Sequence, residues 1–180
     1  MAGDLSSWAE QTAREQLEAL PRRWKHVQGV VRQAEHVAGV VDDPDLLIAA
    51  AWLHDVGYAP DLRRSGCHAV DGARFLDEQG APARLCALVA HHSCALTEAD
   101  HRGIEIEWDD ERTQLRDALW WADMTTTPDG EVTSVPSRIA EVRERYGPEH
   151  VVAQSVADAA PELMAAARRT EALLATMSQR

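Results

Sequence analysis

Asparagine is missing from these 180 residues, and Lys25 is the sole lysine beside seventeen arginines. That bias reads as a compositional habit of an Ala- and Arg-rich chain, not as function. The formal charge of −12 argues against a nucleic-acid duplex as partner, because gripping its phosphates over a wide surface needs clustered cations. A local basic pocket stays compatible with that charge. The three cysteines, Cys67, Cys86 and Cys94, are odd in number and form no CxxC pair, which disfavours a disulfide framework and suits a reducing compartment. No apolar run approaches the roughly 20 residues of a membrane span; the longest is Leu46 to Leu53. Met1-Ala2-Gly3-Asp4 has neither the charged nor the apolar region of a signal peptide. A cytoplasmic protein with no membrane partner is expected. No repeat, low-complexity tract or linker divides the chain, so one domain over 1–180 is expected.

β-Branched alternation is also nearly absent, while Ala, Leu, Glu, Gln and Arg dominate. The fold class is therefore all-α, a bundle of roughly seven to nine helices. Pro21 suits the first position of a helix to about Val41, with Val27, Val30, Val31, Ala34 and Val37 on one face. His26 borders that stripe, whereas His36 falls on the polar side. Asp43 and Pro44 open the next helix, which is apolar nearly all round from Leu46 to Leu53 and marks the buried centre. It ends at His54-Asp55, with Gly57 available to break it. A polar pair at the tip of so apolar a helix is costly to bury without a partner, and a metal ion supplies one.

After a loop, a helix runs from His68 to about Gln79, and another from Pro82 to His91-His92. Leu85, Leu88, Val89 and His92 share a face, which points His92 inward and His91 to its flank. Residues 93–111 read as an irregular acidic connection. A helix from about Arg112 presents Leu115, Ala118, Leu119 and Ala122 inward, with Asp123 at the border, and Thr125 to Gly130 form a loop beyond it. Helices are expected near 136–146, 148–158 and 161–178. In the last, Leu163, Ala166, Ala167, Thr170, Leu173, Leu174 and Met177 make a stripe suited to core or to a homodimer contact.

Imidazoles and carboxylates from separate segments thus accumulate in order: His26, His54, Asp55, His68, His91, His92 and Asp123. They suffice for one or two divalent ions of the Fe, Mn, Zn, Co or Ni kind. His101 and His150 lie outside the pattern and read as surface residues.

The ordered set resembles the HD-domain superfamily of metal-dependent phosphohydrolases. Its pattern is an early His, a central His-Asp doublet followed by Gly, and a late Asp; here these are His26, His54-Asp55 with Gly57, and Asp123. Two-metal members add histidines between doublet and late Asp, and His68 with His91-His92 is similar to those additions. The resemblance spans about residues 20–127, with the C-terminal helices packed on that core. It implies a metal-bridging Asp55, and catalytic roles for Asp55, His68 and His92. Many relatives carry Lys after the doublet's Gly; Tyr58 stands here, which leaves the general acid open among His92, His68 and water. The Gly-Tyr-Pro tract of the cyclic-dinucleotide branch is replaced by Ser93-Cys94-Ala95-Leu96.

Phosphate also needs cations other than metal, and an arginine fork suits its oxygens. The candidates are Arg22, Arg23, Lys25, Arg63 and Arg64. The expected function is hydrolysis of a phosphate ester or anhydride in a small, nucleotide-like phosphorylated substrate. A mixed-valent di-iron oxygenase on the same scaffold is the alternative, and a non-catalytic binding module the third.

Overall fold

A computed structural model describes residues 2–177. Among them are nine α-helices and no strand: α1 (Ala2–Leu17), α2 (Pro21–Val37), α3 (Pro44–Leu53), α4 (His68–Glu78), α5 (Ala83–Ala90), α6 (Ala95–Arg102), α7 (Gln114–Met124), α8 (Val135–Tyr146) and α9 (Val151–Met177). Single 3₁₀ turns cover Val56–Tyr58 and Pro60–Leu62, on the path from α3 to α4. The fold is all-α, as the composition implies.

α3 is the hub, packed against α1, α2, α5 and α7. Leu47, Ala49, Ala50, Ala51 and Leu53 have no exposed surface. Three consecutive alanines make this possible, because small side chains let neighbouring helices approach from several directions at once. The Asp43 carboxylate accepts from the Leu46 amide at 3.1 Å and Pro44 opens the helix, so its start is fixed by its own sequence. No helix among the described residues is long and apolar enough to cross a membrane.

Three expectations change. Residues 93–111 are not wholly irregular, since α6 occupies Ala95–Arg102 and ends at Gly103 with φ +67°. Its buried residues are only Ala95, Glu98 and Ala99, too small and polar a stripe to register as a helical period. α9 is one helix where a break was expected at Pro161. An internal proline costs about 3 kcal/mol, but both halves bury apolar surface, Ala153 and Val156 before it and Leu163, Ala166 and Ala167 after it. Most of the C-terminal stripe is accordingly core, while Met177 is exposed. At the other end, α1 buries Ala9, Ala13 and Leu17 against the bundle, a stripe with little large apolar surface to mark it in the sequence.

Gly57 does not end α3, which stops at Leu53 with His54 as its cap. A Cβ on Gly57 would lie 1.9 Å from the His68 carbonyl oxygen and 2.6 Å from the Gly72 nitrogen. The glycine lets the turn after α3 touch the first turn of α4. That contact brings His54-Asp55 and His68 into one site.

Candidate metal centre

Four helix ends and one helix interior converge here. His54 caps α3 and is fully buried. Its Nδ1 lies 2.8 Å from the Ala51 carbonyl oxygen, which only accepts, so Nδ1 carries the proton and Nε2 keeps its lone pair. His92, just past α5, repeats the device with the Val89 carbonyl at 2.7 Å. His26, inside α2, does the same with the Thr127 carbonyl at 3.0 Å. Thr127 is held for this task by a turn in which its amide bonds the Glu131 carbonyl at 2.8 Å. Gly130 closes that turn at φ +83°, and a Cβ there would meet the Lys25 carbonyl at 2.4 Å. The loop after α7 is thereby packed directly on α2.

The three Nε2 atoms face carboxylates. His26 Nε2 is 3.1 Å from Asp123 Oδ1 and 3.7 Å from Asp55 Oδ2, and His54 Nε2 is 3.4 Å from the same Asp55 oxygen. On the other side, Asp55 Oδ1 lies 3.3 Å from His68 Nε2 and 3.7 Å from His92 Nε2, and those two nitrogens are 3.1 Å apart. Two groups of donors result, His26-His54-Asp55 and Asp55-His68-His92, each within 4.8 Å. Asp55 belongs to both, one oxygen to each. Asp123 adjoins the first group, its Oδ2 accepting from the Ser93 hydroxyl.

This arrangement fits a cation on a direct test. His54 Nε2 is buried with no hydrogen-bond partner, and a buried lone pair without a donor is costly. His26 aims its Nε2 lone pair at a carboxylate oxygen, two acceptors face to face, which only a proton or a metal between them reconciles. Without a cation, Asp55 and Asp123 favour a proton on His54, raising its pKa against its burial. Burial pushes the His92 imidazole down to about 4, assisted by His68 and His54, which keeps it a neutral ligand. Burial opposes charge on Asp55, but the Arg23 guanidinium and then His54 hold its carboxyl well below the usual range. Asp123 is likewise buried, which opposes its charge, yet its neighbours His26 and His54 hold its carboxyl below the usual range.

His91 does not join the cluster. Its Nε2 donates to the Trp108 carbonyl at 2.6 Å, turning the ring toward the 104–113 connection, so the structure places His92 and not His91 among the donors. Of the cationic candidates, Arg23 donates Nη1 to Asp55 Oδ2 and sets its guanidinium 3.7 Å over the Tyr58 ring. The other neighbour of Tyr58 is His68, stacked at 4.0 Å between centroids. Arg22 and Arg63 line a cavity of about 250 Å³ beside the cluster. Lys25 and Arg64 line neither that cavity nor the inner one described below. Lys25 is one residue, about 100° of helix, away from His26 and points to solvent. The Asp71 carboxylate holds the Arg64 and Ser65 amides at 3.0 and 2.9 Å, and the Arg64 side chain pairs with Glu78 on the surface at 2.8 Å. His36, His101 and His150 are exposed.

Several residues of the site carried no signal in the sequence. An inner cavity of about 70 Å³ is lined by Asp55, His68, His92 and Asp123, and by Arg138, Val142, Arg145 and Tyr146 of α8. The spacing of these last four marks one face of a helix. Nothing in the spacing says that the face returns to a site formed far earlier in the chain. Ser93 was likewise hidden, since a lone serine after two histidines has no recognisable pattern.

A family model described as HD domain matches residues 23–159. The matched range takes in every donor of the cluster, the whole of α8 and the start of α9, further than the sequence motifs reach. No curated protein and no solved structure matches the chain.

Proposed function

The chain belongs to the HD-domain family, and from that premise we propose that it is a phosphohydrolase that cleaves a phosphate ester or anhydride of a small, nucleotide-like substrate. The observation that carries the reading is Asp55, whose two carboxylate oxygens face separate histidine groups. His26, His54, Asp55 and Asp123 would hold one divalent cation, and Asp55, His68 and His92 a second. Cations so held supply Lewis-acid charge to a phosphoryl group and an activated water near neutral pH.

The chain's own residues do the rest. Arg22, Arg23, Arg63 and Arg145 surround the 250 Å³ cavity, an outer chamber that suits the rest of a phosphorylated molecule. The Tyr58 ring fixes Arg23 and His68 against its faces or edges, so that guanidinium and imidazole keep a constant separation from Asp55. His68, 17% exposed, is the most exposed histidine of the cluster. Its Nε2 completes the second cation group or carries a proton for the leaving oxygen, and its substitution separates the two roles.

Elemental analysis of untreated protein, followed by a panel of nucleotides and phosphate esters, tests the proposal. One or two divalent metals per chain with phosphate released are expected. An iron pair with a mixed-valent EPR signal and O₂ uptake, without phosphate release, would replace hydrolysis by oxidation. Metal bound with no turnover of any kind would reduce the protein to a binding module.

A further inference from the structure

Arg138 is 7% exposed and sits on the wall of the inner cavity beside the metal donors. Its Nη1 donates to Glu141, while its Nε is buried and has no partner. Elsewhere in the molecule arginines spend that same edge fully. Arg84, Arg116 and Arg169 each place Nε and Nη2 on the two oxygens of one carboxylate. Arg138 leaves its Nε unpaired, at a position where burying an unpaired charged donor is expensive. An unsatisfied buried group calls for an explanation, and on a cavity wall beside metal donors a ligand supplies it.

The cavity is of the right size. At about 10–15 Å³ of such space per water, 70 Å³ has room for roughly five waters, comparable to one phosphoryl group with its oxygens. The chamber shares Arg23, His26, Tyr58 and Arg145 with the outer cavity, so a substrate can place its phosphate inside and its remainder outside. Glu141 also faces the Arg145 Nε at 3.4 Å, and one carboxylate thus orients two arginines of α8.

We infer that Arg138 binds the oxygens of a phosphate group in the inner cavity with its guanidinium. The inference rests on the proposed phosphohydrolase reaction and names a residue that binds its phosphate from α8. Isothermal titration of the metal-loaded protein with inorganic phosphate tests it, on the wild type, Arg138→Met and Arg138→Lys. Arg138→Met should bind phosphate ten- to a hundredfold more weakly, on the order expected for a charge-assisted bond. Arg138→Lys should recover only part of the loss, because an ammonium lacks the planar fork. Metal content should be unchanged in both variants, and the melting temperature of Arg138→Met unchanged or higher, since the substitution removes a buried donor that has no partner. Equal phosphate affinity in wild type and variants, or no phosphate binding by the wild type, overturns the inference. Turnover of the ester panel is scored separately. Phosphate release by the wild type with unaltered affinity in Arg138→Met removes the role of Arg138 and leaves the reaction standing.

Discussion

His54 and His92 make the same local bond, each donating Nδ1–H to the carbonyl three residues earlier, at 2.8 Å to Ala51 and 2.7 Å to Val89. His54 directly follows α3 and His92 stands two residues past α5, where carbonyls lose their intrahelical donors. The ring repairs one such carbonyl and is oriented in return, and the two rings meet edge to face at 5.2 Å between centroids. The fold thus makes its ligands rigid with bonds that belong to the helix ends themselves, the outer support on which metal affinity depends.

Because Asp55 serves both donor groups, Asp55→Asn should empty both. Metal per chain should fall toward zero by elemental analysis, and phosphate release with it. Stoichiometric metal in this variant would remove Asp55 from the bridging position. His54→Ala combined with Asp55→Ala should give the same loss.

His68 belongs to the second group only. His68→Ala should lower occupancy toward one metal per chain while leaving the His26-His54-Asp55 group loaded. Two metals retained at full rate would make His68 a capping residue of α4.

How much of this was legible follows from range in the sequence. His54, Asp55, His68 and Asp123 could be read because each is a ligand type near a helix end, His26 because it borders the apolar stripe of α2, and their order matched a known pattern. Periodicity points His92 inward but leaves His91 a candidate beside it, because the partner that turns His91 away, Trp108, lies in a stretch without periodicity. Lys25 and Arg64 were grouped with the phosphate binders by proximity in sequence, which helix rotation and the Asp71 turn then overruled. Arg138 was invisible for a different reason. α8 packs on α9 and α7, and only that tertiary return places its buried face at the cluster.

Gly57→Ala should be severely destabilising despite adding one methyl. Its Cβ would fall 1.9 Å from the His68 carbonyl, so α4 must move away from the turn after α3. A loss of about 1–3 kcal/mol is expected from such overpacking, seen as a lower melting temperature. Because the displaced element carries His68, metal occupancy should fall as well. An unaltered melting temperature would mean that the contact has slack.

The chelator-treated protein should lose stability as acid is added, partly through His92. Its folded-state pKa is depressed to about 4 from 6.5, so between these values the unfolded chain takes up a proton that the folded one refuses. Stability from this group is therefore complete above 6.5 and falls with pH through the window, at up to about 1.4 kcal/mol per unit. His54 is shifted upward against its burial, by Asp55 and Asp123, and contributes with the opposite sign. Urea midpoints of wild type and His92→Gln across this range isolate the His92 part. The variant should show a shallower loss toward acid, and parallel curves would contradict the assignment of a neutral His92.

Ser93 offers the sharpest separation of orientation from ligation. It sits at φ +52°, a left-handed conformation that costs a residue with a Cβ about 1 kcal/mol or more. In that conformation its hydroxyl donates to Asp123 Oδ2, leaving Oδ1 to face His26 and His54. A glycine would adopt the same backbone without strain but without the hydroxyl. Ser93→Gly should therefore melt no lower than wild type, yet bind metal roughly 10- to 100-fold more weakly, as happens when the residue orienting a ligand is removed. Ser93→Ala keeps the strain and loses the bond, so it should match the glycine variant in affinity and fall below it in melting temperature. If both variants bind metal like the wild type, Asp123 is oriented by His26 alone, and the strained turn after α5 serves only to start α6.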